Sequence, residues 1–401
     1  MDLVELFEKK KILICCGSGG VGKTTIAAAL GVHGALTGKT VLALTIDPAR
    51  RLADSLGLSH VGNTETLVPK EEFLRCGIEP RGALYAMMLD TQHAFDEVIE
   101  RYAPNEEIRN NILQNRFYQN LSSAMAGSHE YLAVEKLYQI YLEKRYDLII
   151  LDTPPTRHAL DFLEAPNRVR AFFDRRVSHW FLRPYFKMGR LGLQVFNRTA
   201  GTVFKMVERV TGADFLRDVS EFITGLADAF DIFRSRADEA MQVLRSEATA
   251  FLLITGTKPA ALEEASYFFS RLRQADLPLG ACIVNRVNRM PDSKGGAHDS
   301  RPTPVASHED LSGALLLSHL QEYRKLPLRL ARALLENFEQ CLHLIESDEQ
   351  VLRDFSRRLS RTTPVRIVRA LEEDISDVAG LLKVNSYLFS DRETDCRVPE
   401  S

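Results

Sequence analysis

Residues 11–25, which read KILICCGSGGVGKTT, decide the fold of this chain. The first six form a short apolar run of the kind that becomes a buried strand. The next nine fit the pattern G-x-x-x-x-G-K-[ST] and open a helical pattern over residues 24–36. In that order of strand, glycine-rich loop and helix, backbone N–H groups and the helix dipole hold phosphate groups. The segment therefore predicts a nucleotide phosphate site and disfavours an incidental glycine-rich turn.

The loop supplies most of the expected ligand contacts. Lys23 is expected to neutralise the β- and γ-phosphates of a nucleotide, and the Thr24 hydroxyl to hold Mg²⁺. The full set of residues predicted to bind the nucleotide here is Gly17, Ser18, Gly19, Gly20, Val21, Gly22, Lys23, Thr24 and Thr25.

Two carboxylates follow apolar runs elsewhere in the chain. Asp47 ends the run over residues 40–47, and Asp152 ends the run over residues 146–152. Ligands of open α/β sheets bind beyond the carboxyl ends of the strands, so both acids can reach the phosphate site. Such a site needs one acid near Mg²⁺ and another that orients the attacking water. A turn or a helix cap is the alternative role for either aspartate taken alone.

Seven apolar runs alternate with helical patterns. This alternation predicts an α/β fold with a doubly wound and mainly parallel sheet. Together with the phosphate loop, it leads us to expect a P-loop NTPase with a single domain over residues 1–401. Besides residues 24–36, a helical pattern covers residues 260–274. The predicted strands lie at residues 11–16, 40–47, 84–89, 146–152, 251–255, 279–285 and 365–370.

Two segments interrupt this rhythm. Residues of about 157–245 lack strand signals and are predicted to form an inserted helical subdomain. Part of it, residues 165–210, carries ten Arg or Lys, the only tryptophan (Trp180) and many Phe, Met, Leu and Val. Residues of about 289–312 are rich in Pro, Gly, Ser and Asp, which predicts a flexible surface loop.

Composition narrows the range of functions. A net charge of −3 gives no reason to expect nucleic-acid binding. We expect a cytoplasmic protein, because the sequence shows neither a signal peptide nor a run of about 18 apolar residues. The six cysteines form no C-x-x-C pair, so neither zinc nor a disulfide framework is expected.

The motifs together resemble those of the ArsA-type ATPases, a family that includes the arsenite-pump ATPase and the targeting factor for tail-anchored membrane proteins. The resemblance rests on GSGGVGKTT, on IDPA around Asp47 and on DTPPTRH beginning at Asp152, and it extends from about residue 11 to residue 389. It implies ATP and Mg²⁺ as ligands and a P-loop of the deviant Walker A type. It also implies two catalytic residues, Lys23 and Asp47, with Asp47 polarising the attacking water. Asp152 would contact Mg²⁺ through a water molecule, and Asn285 would recognise adenine.

The chain also departs from the family pattern. Ser18 stands where the family has a lysine that reaches across a dimer to the partner's nucleotide, and we expect Arg50, Arg51 or Arg157 as substitutes for its charge. Lys258 and Arg369 stand where the family has an acid and a proline near the nucleoside, so those two contacts are not carried over. The loop at residues 289–312 holds no cysteine, unlike the zinc-binding segment of the targeting factors.

The leading hypothesis is a Mg-ATP-hydrolysing dimeric ATPase whose nucleotide state controls a hydrophobic, client-binding helical subdomain. The dimer would be a homodimer or a heterodimer with a paralogue, and the client a hydrophobic protein or a membrane protein, with the ATPase peripheral at the membrane. Two alternatives stay open, an ATPase subunit that energises a metalloid or anion exporter and a ParA/MinD-like positioning switch. The aromatic residues of the insert could also fill an ordinary helical core.

Overall fold

A computed structural model of the chain describes residues 3–46, 50–89, 96–97, 99–101, 103, 105–115, 118–119, 129–154, 230–289, 327–359, 363–371 and 373–389. Within these ranges the strands are β1 (Ile12–Gly17), β2 (Thr40–Thr45), β3 (Thr66–Leu67), β4 (Ala83–Met88), β5 (Leu148–Asp152), β6 (Thr249–Thr255), β7 (Leu279–Val287) and β8 (Val365–Arg369). The helices are α1 (Leu3–Lys9), α2 (Lys23–Leu36), α3 (Arg51–Ser55), α4 (Lys70–Leu74), α5 (Glu106–Gln114), α6 (His129–Glu143), α7 (Phe230–Arg245), α8 (Pro259–Gln274), α9 (Leu328–Arg358) and α10 (Val378–Leu388).

The strands form one sheet in the order β3-β4-β2-β5-β1-β6-β7-β8. Every neighbouring pair is parallel except β3 with β4, which is antiparallel. From β1 the chain runs to β2 on one side, and from β5 it crosses to β6 on the other side of β1. The strand order therefore reverses beside β1, which is where open α/β sheets form their ligand crevice.

All seven predicted strands are confirmed, and so is the mainly parallel α/β fold. The prediction missed β3, because its two residues are too few to show an alternating pattern. Strand β2 ends at Thr45, two residues earlier than predicted.

Alternating side chains of the strands build a core on each face of the sheet. Ile12 and Ile14 of β1 pack in the core that also holds Leu137 of α6 and Phe355 of α9. Leu13 and Cys15 point the other way, into the core formed with α2 and α10. Because both faces of the central strands are covered, their sequences are apolar throughout rather than alternating.

Helix α10 packs directly on α2. Leu381, Val384 and Leu388 are buried in the core shared with α2. The Asn385 side chain donates a hydrogen bond from Nδ2 to the carbonyl of Ala29 at 2.9 Å. Residues from the far end of the sequence thus fix the helix that follows the phosphate loop.

The predicted helical insert and the predicted loop fall mostly outside the described ranges. Of the predicted insert at about 157–245, the structure describes residues 230–245, which form α7. Of the predicted loop at about 289–312, it describes residue 289. Both segments therefore stay predictions. Among the described residues, no helix combines the length and the apolarity that crossing a lipid bilayer requires.

Candidate nucleotide site

Two glycines let the phosphate loop fold tightly between β1 and α2. Gly22 precedes α2 with a left-handed φ of 92°, and a Cβ atom there would lie 2.3 Å from Nδ2 of Asn285. A Cβ atom on Gly17 would lie 1.9 Å from the carbonyl oxygen of Ile254 in β6. A side chain at position 17 would require a backbone shift, and one at position 22 would strain the left-handed backbone and displace the Asn285 amide. The loop sequence and the neighbouring strands therefore constrain each other.

Lys23 lies inside the curve of the loop. Its side chain is buried, and Nζ donates hydrogen bonds to the carbonyl oxygens of Gly17 at 3.0 Å and Ser18 at 2.9 Å. An ammonium group held by carbonyl oxygens at a helix N-terminus is positioned to exchange those partners for phosphate oxygens. Ser18 is 6% exposed, and its hydroxyl has no hydrogen-bond partner among the described residues.

Asp152 joins the phosphate loop to two strands. Its Oδ2 accepts hydrogen bonds from the hydroxyls of Thr24 at 2.6 Å and Thr45 at 3.1 Å. The next residue, Thr153, donates from Oγ1 to the carbonyl of Cys15 in β1 at 2.9 Å. The structure thus brings Thr24 and Asp152 together although 128 residues separate them.

The chemistry of this pair fits Mg²⁺. Hydroxyl and carboxylate oxygens are hard donors, and Mg²⁺ in nucleotide sites is held by one or two such groups together with phosphates and water. Thr24 and Asp152 are the residues that would hold it. No cluster of three or more His, Cys, Asp or Glu side chains suited to a metal occurs in the part of the chain that the structure describes.

Asn285 contacts the other side of the loop from the end of β7. Its Nδ2 donates to the carbonyl of Val21 at 2.8 Å, and its Oδ1 accepts from the backbone N–H of Arg286 at 2.9 Å. The residue predicted to recognise adenine therefore lies against the phosphate loop. In this structure both ends of its amide are engaged by backbone groups.

A cavity of about 620 Å³ opens over the loop. This size suits a nucleotide, since small-molecule sites commonly measure some 300–1,000 Å³. The predicted residues in its wall are Gly20, Gly22, Lys23, Thr24, Thr25 and Asn285. Arg51, one of the expected substitutes for the missing lysine, also lines it, and so does Thr153.

Some of the residues named in the sequence analysis lie outside the cavity wall, and others lie outside the described residues. Asp47 falls outside them, as does Arg157. Arg50 is exposed at the start of α3, and neither it nor Lys258 is among the described residues in the cavity wall.

The sequence reasoning missed the far wall of the cavity. Arg286 follows Asn285, whereas Glu373 and Asp374 follow β8, and all three line the cavity. Arg369, set aside in the sequence analysis as a departure from the family, lines it too. Arg286, Glu373 and Asp374 follow the carboxyl ends of two predicted strands, so the rule that found Asp47 and Asp152 could have found these three.

Burial makes three cysteines near the sheet unreactive. The side chains of Cys15, Cys16 and Cys282 are at most 2% exposed. Burial raises the pKa of the Cys282 thiol to about 12 and the pKa values of Cys15 and Cys16 well above their ordinary range. Since the thiolate is the form that binds soft metals, these three side chains are poor ligands at neutral pH.

Comparison with known proteins identifies relatives over most of the chain. The sequence model of the anion-transporting ATPases, the ArsA ATPase family, matches residues 10–298. A protein of Malassezia globosa named ATPase GET3 is 31% identical over 292 residues, which is 72% of this chain and 76% of that protein. A candidate arsenical pump-driving ATPase of Aquifex aeolicus is 27% identical over 286 residues, or 69% of this chain. ATPase GET3B of Arabidopsis thaliana is 25% identical over 297 residues, or 70% of this chain. The matches span 63% of the Aquifex protein and 64% of the Arabidopsis protein.

Proposed function

The chain belongs to the ArsA-type anion-transporting ATPase family, and from that membership we propose that it hydrolyses Mg-ATP as a dimer to control a client-binding helical subdomain. The proposal has a nucleotide part and a client part. Different residues support each part, so separate experiments test them.

One observation carries the nucleotide part. The Thr24 hydroxyl lies 2.6 Å from the Asp152 carboxylate directly below a glycine-rich loop, and both the loop and Thr24 line a cavity of nucleotide size. Catalysis of phosphoryl transfer depends on positioning and charge. It requires a loop that binds phosphate and hard oxygen donors for Mg²⁺, and both lie here at the carboxyl ends of the strands.

Each residue has a defined task in this proposal. Lys23 binds phosphate oxygens, and Thr24 and Asp152 hold Mg²⁺, with Asp152 acting through a water molecule. When bound, Mg²⁺ neutralises charge that develops on the phosphate oxygens. Asp47 orients the attacking water, and Asn285 recognises adenine after releasing the carbonyl of Val21.

The client part of the proposal concerns the dimer and the helical insert. Each chain carries a single phosphate loop, and we place the loops of two subunits opposite each other across the interface. The insert at about 157–245 would bind a hydrophobic client through residues such as Trp180, since Met and aromatic side chains suit adaptable apolar grooves.

A second candidate function is the energising of an anion or metalloid exporter. The name of the Aquifex protein favours it. Against it, Cys15, Cys16 and Cys282 are buried with raised pKa values, which leaves Cys76 and Cys341 as the accessible thiols in the described part of the chain. We expect arsenite not to stimulate ATP hydrolysis. Strong stimulation that disappears in Cys76→Ser would support the exporter function instead.

The nucleotide part is tested by separating ATP binding from hydrolysis. Asp47→Asn should nearly abolish hydrolysis with ATP affinity retained, because a water-orienting group acts mainly in the transition state. Lys23→Ala should weaken ATP binding itself. Asp276→Asn, at an exposed residue outside the cavity wall, is the matched control and should behave as wild type. Equal loss of ATP affinity in Asp47→Asn and Lys23→Ala would contradict these roles.

Light scattering tests the proposed dimer, and substitution in the insert tests the proposed client site. A monomer at micromolar concentration with and without ATP would argue against the dimer. Trp180→Ser should reduce client capture and leave the melting temperature and basal hydrolysis nearly unchanged. A loss of about 3 kcal/mol or more in the free energy of unfolding would instead show that Trp180 fills a core.

A further inference from the structure

Arg286 has a backbone conformation that is unusual for its residue type. Its φ is 59°, in the left-handed region that favours glycine, and it is one of three non-glycine residues with positive φ among those described. The pairing of β7 with β8 shifts register between Val284 and Val287, so the irregularity spans Arg286. Non-glycine residues in this region are strained and concentrate at ligand sites.

Local contacts hold Arg286 in that conformation. The side chain of Asn285 accepts a hydrogen bond from the backbone N–H of Arg286 at 2.9 Å and donates one to the carbonyl of Val21. The guanidinium of Arg286 reaches back over the phosphate loop, where Nη1 donates to the carbonyl of Gly20 at 3.4 Å. The strained turn therefore directs an exposed cation across the front of the loop, and this side chain lines the cavity with Lys23 and Thr24.

The loop itself has little positive charge for a polyphosphate. Lys23 is its single cation, and position 18 is a buried serine. An arginine presents a rigid fork of N–H donors that matches two phosphate oxygens at once. The contact to Gly20 is long and exposed, so exchanging it for a charge-assisted bond to phosphate is favourable.

We propose that Arg286 is a phosphate-binding residue of this site, which contacts the phosphate chain of the nucleotide bound in its own subunit. This assignment rests on the proposed function of the site. It differs from the sequence expectation, which named Arg50, Arg51 or Arg157 as the additional cation. The left-handed backbone is what aims the guanidinium at the loop, so backbone and charge act together.

The test measures the affinities of ATP and of adenosine, with Mg²⁺ and at two salt concentrations, for Arg286→Gly and Arg286→Lys. Glycine suits the left-handed backbone, so Arg286→Gly removes the cation without unfolding the turn. It should bind ATP about tenfold more weakly than wild type and lose part of the salt dependence, with adenosine affinity unchanged. Arg286→Lys should lie in between. Arg273→Ala, which removes an exposed arginine outside the cavity wall, is the control.

Three outcomes would overturn the assignment. ATP affinity within twofold of wild type in Arg286→Gly, together with a clear loss in Lys23→Ala, would leave the proposed function intact and remove Arg286 from the site. Equal losses for ATP and adenosine would place Arg286 at the base instead of the phosphates. If neither Arg286→Gly nor Lys23→Ala changes ATP binding, the proposed function of the site fails as well.

Discussion

Helices α2 and α9 flank opposite faces of the same sheet and are buried to very different degrees. In α2 every residue from Ile26 to Val32 is buried, although the helix has only 14 residues. In the 31 residues of α9, the buried side chains among those described are Asp348, Leu352 and Phe355. The rest of α9 leaves leucines such as Leu344 in contact with solvent.

The difference follows from composition and position. Helix α2 is rich in Ala and Gly, so it approaches the sheet closely on one side and α10 on the other. Helix α9 is strongly amphipathic, and those of its described side chains that join the core of the sheet lie near its C-terminal end. This close packing fixes α2, which presents its first turn to the nucleotide site and cannot shift without moving Lys23 and Thr24.

Truncating a leucine in each helix should give the largest contrast. Leu30 of α2 is 0% exposed and Leu344 of α9 is 55% exposed. We expect Leu30→Ala to lower the free energy of unfolding by about 3 kcal/mol or more, since it opens a cavity in a closed core. Leu344→Ala should change it by less than about 0.5 kcal/mol. Urea unfolding of both variants measures this, and similar losses would mean that α9 is covered in solution.

A smaller loss in the free energy of unfolding is expected from a substitution at the contact between α9 and the end of β7. The buried Asp348 accepts the backbone N–H and the side-chain amide of Asn288, both at 2.9 Å, just beyond the end of β7. Asp348→Ala leaves both donors without that acceptor and should cost about 2 kcal/mol. The matched control, Asp354→Ala on the exposed side of α9, should cost close to nothing. Equal urea midpoints for the two variants would show that this contact does not fasten the helix.

The pH dependence of stability should also differ between a histidine of α2 and a histidine of α9. Burial lowers the pKa of His33, in the last turn of α2, from 6.5 to about 4. The unfolded chain therefore takes up a proton at higher pH than the folded chain does, so stability should fall as pH decreases from about 6.5 to 4. The ring is partly exposed, so we expect a loss of about 1–2 kcal/mol.

His33→Phe should flatten this pH dependence and keep the stacking on Phe389, whose ring centroid lies 3.5 Å from that of His33. His343 of α9 is 83% exposed, and His343→Gln is the control. A wild-type stability profile that is flat between pH 4 and 6.5 would contradict the burial of a neutral His33.

The smallest effect is expected on the outer surface of α9. Arg353 and Glu349 form an exposed ion pair at 3.6 Å. Arg353→Gln should lower the free energy of unfolding by about 0.3 kcal/mol, and 1 M salt should erase the difference. A loss above 1 kcal/mol that persists in salt would indicate that Arg353 has a tighter partner in solution.

The sequence predicted the parts of the molecule that depend on residues close together in the chain. The strand–loop–helix unit at residues 11–36 follows from a contiguous motif, and strand ends were located because buried parallel strands are apolar runs with a polar residue at the carboxyl end. Thr24 and Asp152 could be paired because Thr24 belongs to the phosphate-loop motif and Asp152 ends such a strand. Helix α9 was not singled out, although its 3.6-residue apolar period was present in the sequence.

The rest of the site depends on contacts that no local pattern contains. The bond from Asn285 to Val21 joins residues 264 positions apart, and the left-handed turn at Arg286 arises from a register shift between two strands. Glu373 and Asp374 follow a predicted strand end, but their place in the cavity wall depends on the pairing of β8 with β7. Such positions require the order of the strands, which periodicity does not give.

The packing of α10 on α2 has a consequence for the newly made chain. Residues 23–36 leave the ribosome long before residues 378–388, which are synthesised roughly 340 positions later. At about 5–20 residues per second, the apolar outer face of α2 waits on the order of 20–70 seconds for its cover. During that interval the nascent chain would expose the side of α2 that Asn385 and Phe389 cover in the folded protein, so we expect chaperones to associate with ribosome-bound chains that stop before residue 378. Pull-down of released chains would show the chaperone retained on a chain cut before residue 378 and lost from the full chain.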